Sequence, residues 1–174
     1  MIYFDHAATA PLHPKAKEAM AEAMEVLGNP SSLHTAGSGA KRLLEQSRAA
    51  VAEALGCEPG EILFTSGGTE ANALALHGRK KILTSPMEHP SVAGNCGNAL
   101  LLPVTPKGTV SLDTAETAVK SGVDLVSLQH ANNETGVIQP VEKCGEIAHA
   151  NGAWFLCDGV QTVGHIPVDV KKLG

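Results

Sequence analysis

The sequence predicts an α/β protein with a mainly parallel β-sheet flanked by helices. From residue 61 onward, short apolar segments alternate with segments that have the three- and four-residue spacing of amphipathic helices. Several apolar segments are continuous rather than alternating, which is typical of parallel strands covered on both faces. In such sheets ligands bind beyond the carboxyl ends of the strands, so the functional residues are expected there.

Residues 1–60 are predicted to form a helical arm and entry segment before an α/β domain at residues 61–174. Apolar residues recur every three or four positions between Ala16 and Leu27, which predicts a first helix. Pro14 suits the first turn of this helix, and Gly28 ends it.

A second helix is predicted for residues 40–55, after a polar stretch at residues 29–39 that is expected to be a loop. Gly56 follows the last periodic residue and is expected to end this helix. The residues expected to face inward are Leu43, Leu44, Val51 and Leu55.

The α/β domain is predicted to contain five strands and four helices. Asp113 and Glu116 have the three-residue spacing of a capping box at the start of the third of these helices. The strands are predicted at Ile62–Phe64, Lys81–Thr84, Leu100–Val104, Leu125–Leu128 and Ala153–Cys157, and the helices at Glu70–Leu76, Ser91–Ala99, Thr114–Lys120 and Val141–Ala150.

The composition is that of an ordinary soluble globular protein, with 43% hydrophobic residues, 18% charged residues and a net charge of −5. The absence of a basic block and the few aromatic residues argue against nucleic-acid binding. Apolar runs are too short to span a bilayer, and the first residues lack the pattern of a signal peptide. The four cysteines have no CxxC or framework spacing, so reduced thiols, a cytoplasmic location and no metal site are expected.

The stretch from residue 63 to 72 predicts an anion-binding turn between an apolar segment and a helix. The amides at a helix start are unpaired and carry partial positive charge. Gly67 and Gly68 allow close approach of the backbone, and the hydroxyls of Ser66 and Thr69 can add hydrogen bonds. The alternative is an ordinary turn in which Thr69 only caps the helix. The absence of a Gly-Lys-Ser/Thr ending argues against a nucleotide P-loop.

Polar residues follow three later strands and are expected to meet this turn at one edge of the sheet. They are an imidazole (His89), three carboxamides (Asn132, Asn133 and Gln161) and a carboxylate (Asp158). Together they match the needs of pyridoxal 5′-phosphate. The phosphate of this cofactor suits a helix N-terminus, and its phenolic oxygen needs an amide donor. Its protonated ring nitrogen needs a carboxylate, and an imidazole can stack on its ring.

Six motifs resemble those of cysteine desulfurases of the NifS/IscS type, which are class V aminotransferases with the aspartate-aminotransferase-like fold (PLP fold type I). In chain order they are FDHAAT, GNPSSLH, FTSGGTEANALA, EHPSV, HANNETGVIQP and DGVQTVGHIPVD. The resemblance covers essentially the whole chain. It implies that the sequence corresponds to the N-terminal part of the PLP-binding large domain.

The resemblance implies specific roles for the residues of this edge. Gly68 and Thr69 would bind the cofactor phosphate, and His89 would stack on the ring and assist proton transfer. Asn133 would bond the phenolic oxygen, Asp158 would pair with the ring nitrogen, and Gln161 would contact the ring-oxygen region.

The implied reaction converts L-cysteine to L-alanine and leaves a persulfide on an enzyme cysteine. The sulfur would pass to an acceptor or scaffold protein for iron–sulfur cluster assembly or tRNA thiolation, and the enzyme would be a homodimer. Family members continue past the position of Gly174 to a Ser-x-His-Lys motif with the Schiff-base lysine and to a persulfide cysteine. The sequence is therefore expected to be incomplete at its C-terminus.

Two other interpretations remain open from the sequence. A selenocysteine lyase or another class V PLP enzyme would share the same binding residues. An inactive PLP-fold fragment that serves as a scaffold would explain the absence of the lysine and cysteine motifs.

Overall fold

The computed structural model describes residues 2–174, which form two compact units. One unit extends to Leu63, and the other runs from Phe64 to Gly174. The sequence predicted a division after residue 60. Within residues 2–174, no helix has the length and apolar character needed to cross a membrane.

The first unit contains helix α1 (Pro14–Met24), helix α2 (Thr35–Leu55) and a 3₁₀ turn at Pro59–Glu61. Pro14 begins α1, as predicted, and the His13 side chain caps it by accepting a hydrogen bond from the Lys15 amide. The helix ends at Met24, one turn earlier than its apolar pattern suggested.

Helix α2 begins five residues before its predicted start. The His34 ring accepts a hydrogen bond from the Gly37 amide at 3.4 Å and so caps the helix. A Cβ atom at Gly37 would lie 2.4 Å from the Ser32 carbonyl oxygen, so glycine lets the preceding loop pack against the first turn. Gly56 ends the helix with φ of 75°, as predicted. Val51, expected to face inward, is 36% exposed.

The second unit is an α/β layer structure with a four-stranded, fully parallel sheet in the order β2-β1-β3-β4. Parallel strands need crossover connections, and helices supply them here. The strands are β1 (Ile82–Thr84), β2 (Leu100–Leu101), β3 (Leu125–Gln129) and β4 (Trp154–Asp158), and the helices are α3 (Gly68–Leu76), α4 (Pro90–Ala93), α5 (Leu112–Val119), α6 (Val141–Ala150) and α7 (Val170–Leu173).

Apolar clusters cover both faces of this sheet, which explains the continuous apolar strands. On one face, Leu83, Val126 and Leu128 pack with buried residues of α5 and α6. On the other face, Ile82 and Leu125 pack with buried residues of the α3 and α4 region. Burial of this apolar area is the main stabilising contribution to the unit.

Several elements predicted from residue 61 onward differ in the structure; for example, the strand predicted at Leu100–Val104 covers only Leu100–Leu101. The segment Ile62–Phe64 is not a strand, and Phe64 is 44% exposed. The capping box at Asp113 and Glu116 is wrong, because the Ser111 hydroxyl caps α5 by accepting from the Thr114 amide.

The helix predicted at residues 91–99 ends at Ala93. Gly94 follows it directly, and Gly97 adopts a left-handed conformation with φ of 55°. Glycine disfavours continuation of a helix, which explains why the observed helix has only one turn.

Replacement of Leu128 by alanine is expected to lower the free energy of unfolding by about 2–5 kcal/mol, because it leaves a cavity in the core. Leu128 is fully buried. Urea unfolding monitored by circular dichroism would measure the change. Leu74→Ala is the matched control, since Leu74 is 54% exposed on α3. Equal effects of the two substitutions would contradict this assignment of the core.

Candidate functional site

The start of α3 lies beside the carboxyl end of β4. The Asn72 side chain donates a hydrogen bond from Nδ2 to Asp158 Oδ2 at 2.8 Å. A Cβ atom at Gly68 would lie 3.0 Å from Val160 Cγ2, so the turn after β4 reaches the first residue of the helix. Gln129 at the end of β3 is the register partner of Asp158.

The loops after β1 and β3 meet at the same end of the sheet. The Met87 carbonyl oxygen accepts hydrogen bonds from Gln129 Nε2 at 2.6 Å and from Asn132 Nδ2 at 3.1 Å. These bonds hold the segment before His89 against the loop that carries Asn133. The structure therefore places the turn before α3, predicted to bind an anion, and the three later polar clusters at one end of the sheet.

The N-terminus of α3 offers backbone amides to an anion. The helix begins at Gly68, with Gly67 as the N-cap residue and no side-chain cap, so the alternative in which Thr69 caps the helix is wrong. The N–H groups of its first turn have no partners within the helix and form its positive end. The amides of Gly68 and Thr69 are thus available to a phosphate.

Ser66 is engaged by the protein itself. Its amide donates to Glu70 Oε2 at 2.6 Å, and its side chain also hydrogen-bonds that carboxylate. These bonds lower the pKa of Glu70 below its ordinary value. The expectation that the Ser66 hydroxyl adds a hydrogen bond to an anion stays a prediction, and in this structure the residue is bonded to Glu70.

Two N–H donors orient the Asp158 carboxylate at the end of β4. Oδ1 accepts from the Val160 amide at 3.0 Å, and Oδ2 accepts from Asn72. Asn72 is buried and Asp158 is partly buried. Charge-assisted bonds of this kind fix a carboxylate for pairing with a cationic N–H group.

His89 is the N-cap residue of α4, and its ring is fixed on one side. Nδ1 accepts from the Ser91 amide at 3.1 Å and lies 2.8 Å from Ser91 Oγ. The residue is otherwise exposed. The free side of the ring is therefore open to a ligand.

The two neighbouring asparagines have different roles. Asn132 Oδ1 accepts from the amides of Glu134 and Thr135, so this side chain holds the turn after β3. Asn133 is partly buried, and its carboxamide has no hydrogen bond to any residue from 2 to 174. Asn133 can therefore donate to a ligand. Gln161 is partly buried in the turn after β4.

Glu88, which precedes His89, is buried and was not predicted as a site residue from the sequence. Its Oε1 atom accepts from the Gln129 amide at 3.0 Å, whereas Oε2 has no hydrogen-bond partner among residues 2–174. Burial raises the pKa of Glu88 to about 7, and the negative charge of Asp158 adds to the increase. Two signals in the sequence point to Glu88, namely its place in the EHPSV motif and the adjacent candidate histidine.

A sequence profile of the class V aminotransferases matches residues 2–174. The chain belongs to this family. It is 41% identical over 188 residues to cysteine desulfurase IscS of Methanosarcina thermophila, an alignment that covers 99% of the chain and 46% of that protein. The chain thus spans about half the length of the curated relatives it matches.

Solved structures of the same kind confirm the predicted fold. The NifS-like protein from Rickettsia africae ESF-5 superposes with a TM-score of 0.91 at 36% identity, over 100% of this chain and 52% of that one. A structure described as SspA in complex with cysteine has a TM-score of 0.91 at 30% identity. The match covers 99% of this chain and 55% of that one. The chain therefore has the PLP fold of the NifS-like proteins, over about half of their length.

Three of the four cysteines in this class V chain are poor nucleophiles. Burial raises the pKa of Cys144 to about 11 and that of Cys157 to about 12, and it also raises the pKa of Cys96. Since the thiolate is the reactive form, these side chains act as small packing residues. The three thiols lie in or against the apolar clusters of the sheet. No metal-binding group of three His, Cys, Asp or Glu residues occurs within residues 2–174.

Glu88→Gln is expected to reduce the loss of stability with rising pH. The Glu88 carboxyl has a pKa of about 7 in the folded protein, whereas its ordinary pKa is near 4.5. At pH values between these two pKa values, the folded state keeps a proton that the unfolded state has released. The free energy of unfolding therefore falls as the pH rises. The neutral glutamine removes this contribution of up to about 3 kcal/mol.

Urea unfolding of the wild type and the variant at pH 5 and pH 8 would measure the difference. Glu134→Gln is the control, because Glu134 is exposed. An unchanged dependence on pH in Glu88→Gln would show that Glu88 is ionised throughout this range in the folded protein.

Proposed function

We propose that this protein is a PLP-dependent cysteine desulfurase that converts L-cysteine to L-alanine and a protein-bound persulfide. The observation that carries the proposal is the placement of Asp158, His89 and the N-terminus of α3 at one end of the sheet. Relatives that cover the whole chain and are named cysteine desulfurases support the choice of reaction.

The residues of this end of the sheet fit pyridoxal 5′-phosphate. The amides of Gly68 and Thr69 would bind the phosphate, since a dianion matches the positive end of α3. The carboxylate of Asp158, already held by two donors, would pair with the ring N–H. Asn133 would donate to the phenolic oxygen, and Gln161 would contact the ring-oxygen region. When bound, the cofactor supplies an electron sink for the substrate α-carbon.

His89 is proposed to pack against the bound ring and to carry a proton at Nε2. Its Nδ1 atom is occupied by Ser91, so Nε2 is the ring nitrogen left for proton transfer. An imidazole is suited to this role because its ordinary pKa lies near neutrality. Asp158 would preserve the positive charge on the ring nitrogen during that step.

The Schiff-base lysine and the persulfide cysteine are proposed to lie in the part of the relatives' length that the chain does not cover. The buried thiols described above support this for the cysteine. The sulfur is proposed to pass to an acceptor or scaffold protein, and the enzyme to act as a cytoplasmic homodimer. All four cysteines are free thiols, in keeping with a reducing compartment.

The Asp158→Asn variant tests this proposal in the protein as its gene encodes it. Loss of the charge that keeps the ring nitrogen protonated is expected to lower alanine formation from L-cysteine about tenfold or more, a barrier increase of about 1.4 kcal/mol or more. The visible absorbance of bound PLP is expected to weaken as well. Asp113→Asn, on the exposed first turn of α5, is the matched control.

Two results would contradict the proposal. One is near-normal alanine formation and PLP absorbance in Asp158→Asn. The other is a wild-type protein that binds PLP but forms no alanine from L-cysteine while it does release selenium from L-selenocysteine. The second result would favour the selenocysteine lyase instead.

A further inference from the structure

Asn72 and Ser91 form a buried hydrogen-bond bridge between Asp158 and His89, here called the Asn72–Ser91 bridge. Both side chains are buried, with 5% and 8% of their surface exposed. Asn72 Nδ2 donates to Asp158 Oδ2 at 2.8 Å and to Ser91 Oγ at 3.0 Å. Ser91 Oγ in turn lies 2.8 Å from His89 Nδ1.

The chemistry of these groups fixes the direction of each hydrogen bond. An ionised carboxylate only accepts, so Asn72 must direct its NH₂ group rather than its carbonyl oxygen at Asp158. The second proton of that NH₂ group reaches Ser91 Oγ. The hydroxyl proton of Ser91 is then left to donate to His89 Nδ1.

The backbone supplies an independent constraint on His89. The Ser91 amide can only donate, and it points at His89 Nδ1 at 3.1 Å. Nδ1 must therefore present a lone pair, so the neutral ring carries its proton on Nε2. The side-chain bridge and the backbone amide thus favour the same tautomer.

Asn72 lies on the same helical face as Leu76. Leu76, one turn later on α3, is buried in an apolar cluster, so a leucine at position 72 would extend that packing. A buried carboxamide in a helix is unfavourable unless its hydrogen bonds are satisfied. Its link to Asp158 and Ser91 satisfies the NH₂ group and accounts for the polar residue.

We propose that Asn72 and Ser91 are positioning residues for the reaction. They hold His89 as the Nε2–H tautomer and fix the Asp158 carboxylate in one orientation. The two groups assigned to the cofactor ring are thereby tied to each other through buried side chains. This inference rests on the proposed function for the roles of His89 and Asp158, but the hydrogen-bond arrangement does not depend on it.

The tautomer of His89 is measurable by ¹⁵N nuclear magnetic resonance in the cofactor-free protein as its gene encodes it. Long-range ¹H–¹⁵N correlations of histidine-labelled protein distinguish the two tautomers, and His89→Gln assigns the signal. In the wild type, His89 is expected to be almost entirely the Nε2–H form. Ser91→Ala is expected to raise the Nδ1–H fraction about fivefold, the factor that corresponds to one ordinary hydrogen bond.

Ser91→Thr keeps the hydroxyl and is expected to restore the wild-type ratio. The exposed His165 is the internal control and is expected to keep its ratio in every variant. The positioning role is overturned if folded Ser91→Ala leaves the His89 ratio unchanged. It is also overturned if wild-type His89 has the same ratio as His165.

A second readout concerns the Asp158 end of the bridge. Asn72→Leu removes one of the two donors to the carboxylate while it retains side-chain volume. The dissociation constant of PLP is expected to rise about fivefold, again the factor for one hydrogen bond. An unchanged constant in the folded variant would overturn the role of Asn72. Failure of the proposed function would appear separately, as a wild type without desulfurase activity but with the expected tautomer of His89.

Discussion

The parallel pairing of β3 with β4 is the constraint on which the rest of the site depends. It aligns Gln129 with Asp158, so that two strands end at the same level. Because both strands run in the same direction, the loops that follow them must leave from the same edge. The polar residues of both loops therefore come together without any long-range signal in the sequence.

Partly buried hydrogen bonds then set the positions of the elements around these strands. Asn72 attaches α3 to Asp158, and Met87 attaches the loop before His89 to the loop after β3. Such polar contacts are costly when unsatisfied, so they specify one arrangement more sharply than apolar packing does. The apolar clusters on both faces of the sheet stabilise the fold, and the polar contacts fix the relative positions of the loops and helices around the strands.

The sequence predicted the sheet and the position of Asp158 because both depend on local patterns. Continuous apolar segments mark the strands, and a polar residue directly after such a segment marks a strand end. The sequence did not reveal the Asn72–Ser91 bridge, whose members lie 19 residues apart, or the bond from Asn72 to Asp158 across 86 residues. Tertiary packing decides such contacts. Glu88 was missed for the same reason, since its burial depends on how its loop folds back onto β3.

The central claim is that this end of the sheet holds PLP. A crystal structure of the protein grown with PLP tests it most directly. We expect the phosphate on the amides of Gly68 and Thr69, and the ring nitrogen at roughly 2.7–2.9 Å from an oxygen of Asp158. PLP bound elsewhere, or bound here with its ring nitrogen away from Asp158, would contradict it.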